Sequence, residues 1–142
     1  MKIDLATKSD IEGILALQPQ IYRVEKLSEN AADILNGLIE SDTCDVLVAK
    51  EDDTVLGSAF IFYLPNPAHG TSYAYLEGLV VDEAKRGHGI GTALFEECQK
   101  IAKQKGAYKI LFTSGMDRQD AHKFYEKLGF KKWGFEFRKN LD

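Results

Sequence analysis

The chain has 142 residues, of which 44% are hydrophobic and 28% charged, a balance typical of a globular protein that buries a core without disulfides or a structural metal. Its formal net charge of -4 argues against a general nucleic-acid-binding protein, which would present a basic surface. We find no apolar run of membrane-spanning length and no signal-peptide pattern, so we expect a cytoplasmic protein with neither nucleic acid nor membrane as a partner.

The first half of the chain predicts helices and strands from its apolar periodicity and its turn residues. The expected elements are a strand at residues 2–6, a helix that begins at 7–10 and ends at Pro19, a helix at 28–40, and strands at 43–50 and 54–64. A polar turn at residues 51–53 joins the last two strands into a hairpin, and a loop follows at 65–70.

The second half alternates strands and helices. The expected elements are a central strand at residues 73–81, a helix at about 89–105 closed by Gly106, a strand at 108–113, a helix capped by Asp117 and ended by Gly129, and a last strand at 133–138. No repeat, low-complexity stretch or linker divides the sequence, so we expect a single domain over residues 1–142.

The two cysteines predict neither a disulfide framework nor a metal site. Cys44 and Cys98 are far apart in sequence and lack metal-ligand spacing. Cys98 shares the apolar face of its predicted helix with Leu94 and Ile101, which favours a reduced thiol in the core.

The segment Arg-Gly-His-Gly-Ile-Gly, residues 86–91, joins the predicted central strand to the next helix, and we call it the glycine loop. Glycines let a backbone approach a ligand closely, and a helix N-terminus presents unpaired N–H groups. A dinucleotide fingerprint would need Gly or Ala where Thr92 stands, and no glycine precedes the Lys-Ser or Lys-Thr of a mononucleotide loop. A phosphate-binding turn of another kind is therefore predicted, with an ordinary strand-to-helix turn as the alternative.

The pattern Arg86-x-x-Gly89-x-Gly91 after a strand resembles the acetyl-CoA loop of the GNAT N-acetyltransferase superfamily, and the element order is similar over essentially the whole chain. The resemblance implies an α/β fold, the GNAT acyl-CoA N-acyltransferase fold, with a central mixed sheet flanked by about four helices. It also implies an acyltransferase that uses acetyl-CoA as co-substrate, without a metal, and acetylates a primary amine by direct attack on the thioester. The residues that would contact the coenzyme are Leu79, Val80, Val81, Arg86, Gly87, His88, Gly89, Ile90, Gly91, Thr92 and Arg118.

Glu77 is the candidate base. An alkyl ammonium with a pKa of about 10.4 is mostly protonated at neutral pH, so the acceptor must lose a proton. Glu77 is the only charged residue in the predicted central strand, and a buried carboxylate is costly unless something requires it. It lies four residues before Val81, as a Glu does in spermidine and glucosamine-phosphate acetyltransferases, which implies that it accepts the amine proton through water. The alternative is a carboxylate that reaches solvent or pairs with a basic residue.

Residues 121–130 resemble the second motif of the family, which implies that Tyr125 lies near the departing sulfur and acts as general acid or hydrogen-bond donor. The alternative is a core aromatic residue, because Tyr125 shares a helix face with Leu128. The oxyanion would take a backbone N–H from residues 79–81. Arg118 stands where many family members carry Asn, and it would meet a phosphate or remain solvated.

The three histidines are weaker candidates for chemistry. We expect His122 to be an exposed helix residue and His69 to be an ordinary loop residue. In His88, which lies inside the glycine loop, we expect the backbone to matter more than the ring.

The acceptor amine belongs to a small molecule or a peptide, and we expect contacts from residues 18–28 and 64–72. Glu25 and Glu29 would suit a cationic polyamine, whereas Arg23 and Lys26 would suit a phosphorylated or phosphonate amine. The rival functions are a non-catalytic acyl-CoA-binding or regulatory domain and a phosphate-binding module for another nucleotide. The family resemblance also implies a homodimer, with residues 133–138 as its contact.

Overall fold

The computed structural model describes residues 1–22 and 24–142 and divides them into two compact units, Met1–Leu111 and Phe112–Asp142. The first unit contains a five-stranded mixed sheet with the order β1-β2-β3-β4-β5. The strands are β1 Lys2–Leu5, β2 Cys44–Glu51, β3 Thr54–Asn66, β4 Thr71–Val81 and β5 Ile110–Leu111. Neighbours from β1 to β4 pair antiparallel, and β5 pairs parallel to β4, which confirms the predicted mixed sheet.

The helices of the first unit cover both faces of this sheet. They are α1 Ile11–Tyr22, α2 Ala31–Glu40 and α3 Ile90–Gln104. Phe60 of β3 packs with Ile14 of α1 and Leu35 of α2, whereas a Cβ built on Gly57 would lie 3.0 Å from Leu94 of α3. Since side chains alternate along a strand, α3 lies on the face opposite α1 and α2. The second unit contains α4, Gln119–Lys127.

The expected end of the first helix is wrong, because α1 continues through Pro19 to Tyr22. Proline removes one helical hydrogen bond and usually ends or kinks a helix. Here the last turn is held from outside: Gln20 Nε2 donates to Asp82 Oδ1 at 3.4 Å, and the Glu83 N–H donates to Gln20 Oε1 at 3.0 Å. These tertiary bonds support the turn that proline weakens.

Two expectations for the last third of the chain are also wrong. Helix α4 begins at Gln119 with Arg118, not Asp117, at the N-cap position. Residues 133–138 form no strand, and Trp133 and Phe137 are 91% and 94% exposed. A strand needs a hydrogen-bonded neighbour, and the structure pairs this segment with none in the part of the chain that it describes. The expected strand at residues 108–113 is present but short, as β5.

Both cysteines are free and buried, which confirms the core thiol expected at Cys98. Burial raises the pKa of Cys98 to about 12, and burial together with the charge of Asp45 raises the pKa of Cys44 to about 11. Both thiols therefore stay protonated at neutral pH.

Within the described residues, no helix is both long and apolar enough to cross a membrane.

Candidate active site

The pairing of strand β4 with its neighbours changes halfway along its length. On one side its pairing with β3 shifts, so that Glu77 lies opposite Phe60 but Val80 lies opposite Ser58. One extra residue is accommodated in β4, and Gly78 takes a positive φ of 64° at this bulge. On the other side, β5 pairs with β4 at Ala74 and Tyr75, before the bulge.

Glu77 is half-buried on the face of the sheet that carries α1 and α2. It is paired with Phe60, and directly opposed residues in an antiparallel pair project to the same face, with Cβ atoms about 5 Å apart. Phe60 is buried among the α1 and α2 side chains. The bulge therefore puts the Glu77 carboxylate on the face of the sheet that packs against α1 and α2.

The glycine loop follows β4 and leads into α3. Gly87 and Gly89 have φ values of 82° and 81°, and a Cβ added at either would meet nothing within 4 Å. The need for glycine is therefore conformational rather than steric, because other residues rarely adopt these angles. Gly89 is the N-cap residue, and the Ala93 N–H donates to its carbonyl at 3.1 Å.

The first turn of α3 offers donors for an anion. The N–H groups of Ile90, Gly91 and Thr92 precede the helical hydrogen-bond ladder and point along the helix axis. No acidic residue lies in this turn to compete with a bound anion. The side chain of Ile90 is buried, so this residue can contact a ligand only through its backbone. The arrangement fits a pyrophosphate.

The loop is organised by its own side chains. Arg86 Nε donates to the Val81 carbonyl at 3.1 Å, which ties the arginine to the end of β4. His88 Nδ1 lies 3.1 Å from the Lys85 carbonyl and 3.0 Å from the Arg86 carbonyl, and since both are acceptors, this nitrogen carries the proton. The ring of His88 thus stabilises the glycine loop. From the sequence, the backbone of this residue was expected to matter more than its ring.

Gln20 helps to position the turn before the glycine loop, a role that the sequence did not indicate. Its carboxamide bonds to Asp82 and Glu83, the turn between β4 and the glycine loop. The two partners are more than 60 positions away in sequence, so no local pattern could have indicated the contact. Through Gln20, α1 fixes the start of the loop.

The loop between β3 and β4 contains His69 in an aromatic cluster. The His69 ring stacks on Tyr108 with centroids 4.0 Å apart, and Asn66 Nδ2 donates to Tyr108 Oη at 2.9 Å. Lys109 Nζ lies 5.1 Å from the Tyr73 ring centroid. His69 is therefore an exposed loop residue, as expected, whose ring stacks on Tyr108.

The connection from α1 to α2 is exposed at Glu25, Lys26 and Glu29. Arg23, proposed with Lys26 as a contact for a phosphorylated amine, lies outside the described residues.

In the second unit, Tyr125 lies half-buried on α4. Its ring packs edge-on against Phe112 with centroids 4.7 Å apart, and Phe130 packs on the same ring at 5.0 Å. The Phe130 N–H donates to the Tyr125 carbonyl at 3.1 Å, while Gly129 has a φ of 94°, so the helix ends as expected at Gly129. This aromatic packing thus holds the ring of Tyr125, whose hydroxyl is the candidate hydrogen-bond donor.

Arg118 and His122 lie at the start of the same helix. Arg118 is exposed and makes no side-chain cap, and the His122 ring donates through Nε2 to the Gly115 carbonyl at 2.8 Å. His122 therefore secures the loop before α4 and is not the exposed residue expected. Within the described residues, no three or more His, Cys, Asp or Glu side chains are arranged to hold a metal ion.

Comparison with known proteins identifies the family to which the fold belongs. The model of the acetyltransferase (GNAT) family matches residues 11–130. Glucosamine 6-phosphate N-acetyltransferase of Trypanosoma brucei brucei is 30% identical over 97% of this chain and 90% of its own length. Aminoalkylphosphonate N-acetyltransferase of Salmonella typhimurium is 26% identical, with coverage of 96% and 88%. A solved structure of a putative acetyltransferase from Agrobacterium tumefaciens matches with a TM-score of 0.87 and 25% identity, over 98% of this chain and 100% of that one.

The chain belongs to the GNAT family of acetyltransferases. It is an N-acetyltransferase, an enzyme that moves an acetyl group to an amine, as the sequence had indicated. Members of this family use acetyl-CoA as the acetyl donor.

Proposed function

We propose that this enzyme binds acetyl-CoA at the glycine loop and at residues 79–81 of β4 and acetylates a primary amine of a small molecule or a peptide. The contacts would come from Leu79, Val80, Val81, Arg86, Gly87, His88, Gly89, Ile90, Gly91 and Thr92, with Arg118 as a further contact. Bound acetyl-CoA would supply the thioester that carries the acetyl group. The observation that carries the proposal is the continuous run, within one unit, of bulged strand, glycine loop and helix N-terminus.

The residues of this run suit different parts of such a co-substrate. The N–H groups at the start of α3 and the charge of Arg86 suit the phosphates. The backbone of residues 79–81 follows the bulge and suits amide groups and the oxyanion, since backbone N–H and C=O groups of a strand can pair with another extended chain. Val80 is 5% exposed, so it would contribute through its backbone alone.

Two side chains are proposed for proton chemistry. Glu77 would take a proton from the acceptor amine through a water molecule, and its half-buried position beside the α1 and α2 layer supports this role. Tyr125 would donate a hydrogen bond to the leaving thiolate. Its packing against Phe112 supports a fixed ring orientation.

Calorimetric titration with acetyl-CoA tests the binding half of the proposal. We expect a dissociation constant near 1 μM, about -8 kcal/mol, with ATP and NAD unable to compete, and release of free thiol when amines are added. In Arg86→Ala we expect about tenfold weaker binding, because one charged contact to phosphate is lost. Lys103→Ala, which removes an equal charge from the last turn of α3, is the matched control and should bind normally.

The outcomes separate this proposal from its rivals. Saturable binding of acetyl-CoA without turnover of any amine would favour the non-catalytic acyl-CoA-binding domain. Competition by ATP or NAD would favour a module for another nucleotide. Equal weakening in Arg86→Ala and Lys103→Ala would remove the glycine loop from the binding site.

The single domain over residues 1–142, the cytoplasmic location and the homodimer are further proposals. Phe135, at 81% exposure, lies between Trp133 and Phe137 on alternate positions of the C-terminal segment, and apolar side chains exposed in this way support a contact with a second copy. Sedimentation velocity of the full chain measures the oligomeric state directly.

A further inference from the structure

The first unit contains a pocket of about 320 Å³ on the face of the sheet that carries α1 and α2. It lies between the two helices and the connection that joins them, and Phe60 of β3 forms part of its wall. This volume is within the range of about 300–1,000 Å³ found for small-molecule sites, at its lower end. The pocket is thus large enough for a compact group.

The lining of the pocket is mainly apolar. Leu15 of α1, Leu27 of the connection, and Ile34 and Leu38 of α2 line it together with Phe60. Ile34 is 56% exposed although it is a large apolar residue on an ordered helix. An apolar ligand group would cover this surface and gain the free energy of its burial.

The polar residues of the lining leave little for a phosphate to bind. Ser28 donates from Oγ to Asn30 Oδ1 at 2.6 Å, and the buried Gln18 donates from Nε2 to the Ile14 carbonyl at 3.2 Å. Lys26 carries the single positive charge among the described residues that line the pocket. A phosphate or phosphonate is held by several charge-assisted hydrogen bonds, whereas the described residues of the lining offer one cationic side chain, Lys26.

The pocket lies next to Glu77, the proposed base, because Phe60 belongs to both the pocket wall and the strand pair. Phe60 is the direct cross-strand partner of Glu77, so the two Cβ atoms lie about 5 Å apart on the same face. A ligand with its apolar group against Phe60 therefore has its polar end within reach of the Glu77 carboxylate.

We propose that the acceptor is a primary amine with a compact apolar group, such as an arylalkylamine or a branched alkylamine, and that this group fills the pocket. The inference rests on the proposed function, because it assigns the substrate class of the same site. The nitrogen forms a bond to the acetyl carbon as the carbon–sulfur bond breaks. Of the protons on the ammonium, one leaves through Glu77 and one is taken up by the departing thiolate, which gives an amide and free coenzyme A.

Two alanines of α2 give a matched pair of variants. Ala31 lines the pocket, whereas Ala32 is exposed beside it and does not. In Ala31→Phe the new ring occupies the pocket, and we expect KM for 2-phenylethylamine to rise at least tenfold. Ala32→Phe should leave KM unchanged, and neither substitution should change the dissociation constant of acetyl-CoA. Ile34→Ser is a second test that removes apolar lining from an exposed position, and KM should rise severalfold.

A binding measurement supports the assay without depending on turnover. With free coenzyme A present, calorimetric titration of the wild type with 2-phenylethylamine should show saturable binding that Ala31→Phe weakens at least tenfold. Preferred turnover of glucosamine 6-phosphate, aminomethylphosphonate or spermidine, with no difference between Ala31→Phe and Ala32→Phe, would overturn the substrate class while the acetyltransferase proposal stands. A protein that fails to bind acetyl-CoA would overturn both.

Discussion

The two halves of β4 differ in how the sheet supports them. In the N-terminal half, Ala74 is fully buried between β3 and β5, and its N–H donates to the Lys109 carbonyl at 2.9 Å. In the C-terminal half, Gly78 interrupts the regular pairing with β3. One strand therefore has an anchored half, which is paired on both sides at Ala74, and a bulged half, residues 76–81.

This difference separates a structural half of the strand from the half that we propose binds acetyl-CoA. Regular pairing occupies the backbone donors and acceptors of a strand, whereas a bulge disrupts the ladder locally. The bulged half ends at the glycine loop, which leads into the N-terminus of α3 and its N–H donors. The bulge also places Glu77 opposite Phe60, so that carboxylate, bulge and loop follow one another along the chain.

The largest effect is expected from Glu77→Gln in the bulged half. The amide cannot accept a proton, so we expect kcat to fall about 100-fold or more, within the range typical of general base catalysis. The dissociation constant of acetyl-CoA should not change, because the substitution is nearly isosteric. Steady-state kinetics over a range of pH, with calorimetry for binding, measures the two quantities separately.

Glu96→Gln is the control for this prediction, because Glu96 is exposed on α3. It removes the same charge from the protein and should retain wild-type kcat. If Glu77→Gln keeps kcat within about threefold of the wild type, Glu77 is a structural carboxylate and the proposed base is wrong.

A substitution in the anchored half should lower the stability of the protein rather than its activity. In Ala74→Leu the larger side chain enters a fully buried site between two strands, and we expect the free energy of unfolding to fall by about 1–3 kcal/mol. Urea denaturation measures this loss. The dissociation constant of acetyl-CoA, measured where the variant is folded, should equal that of the wild type. Weaker binding without loss of stability would show that the two halves are not separable in this way.

Local sequence patterns predicted much of the first unit correctly. Helix α3 and its termination at Gly106 follow from apolar spacing and one glycine, which has a φ of 82°. The glycine loop was recognisable because its residues are adjacent in sequence. The roles of Glu77 and Tyr125 stay predictions that rest on the family resemblance.

Features that depend on distant contacts could not be predicted. The continuation of α1 past Pro19 is accompanied by bonds from Gln20 to a turn far along the chain. The pairing of Glu77 with Phe60 depends on a bulge, and one residue of shift would turn every side chain to the other face. A strand was predicted at residues 133–138, but a strand also requires a hydrogen-bonded neighbour, which a local sequence pattern does not show.

The smallest effect is expected outside both halves of β4, at the start of α1. Asp10 is buried and accepts hydrogen bonds from the Thr7 N–H at 2.9 Å and from Lys50 Nζ at 3.0 Å. Burial opposes its charge, but these bonds outweigh it and hold the pKa of Asp10 below its ordinary value of 3.8. A lowered pKa in the folded state stabilises the protein above the unfolded pKa, and this contribution is lost as the pH falls through the folded value.

Asp10→Asn should therefore lower the free energy of unfolding by about 1 kcal/mol at pH 7 and by progressively less below about pH 4. Urea denaturation at several pH values between about 2 and 7 measures the difference, with the exposed Asp42→Asn as control. Binding of acetyl-CoA at pH 7 should not change, since the bonds of Asp10 join the start of α1 to Lys50 of β2. An equal loss at pH 2 and pH 7 would mean that packing or the amide's geometry, and not the charge of Asp10, stabilises this end of the helix.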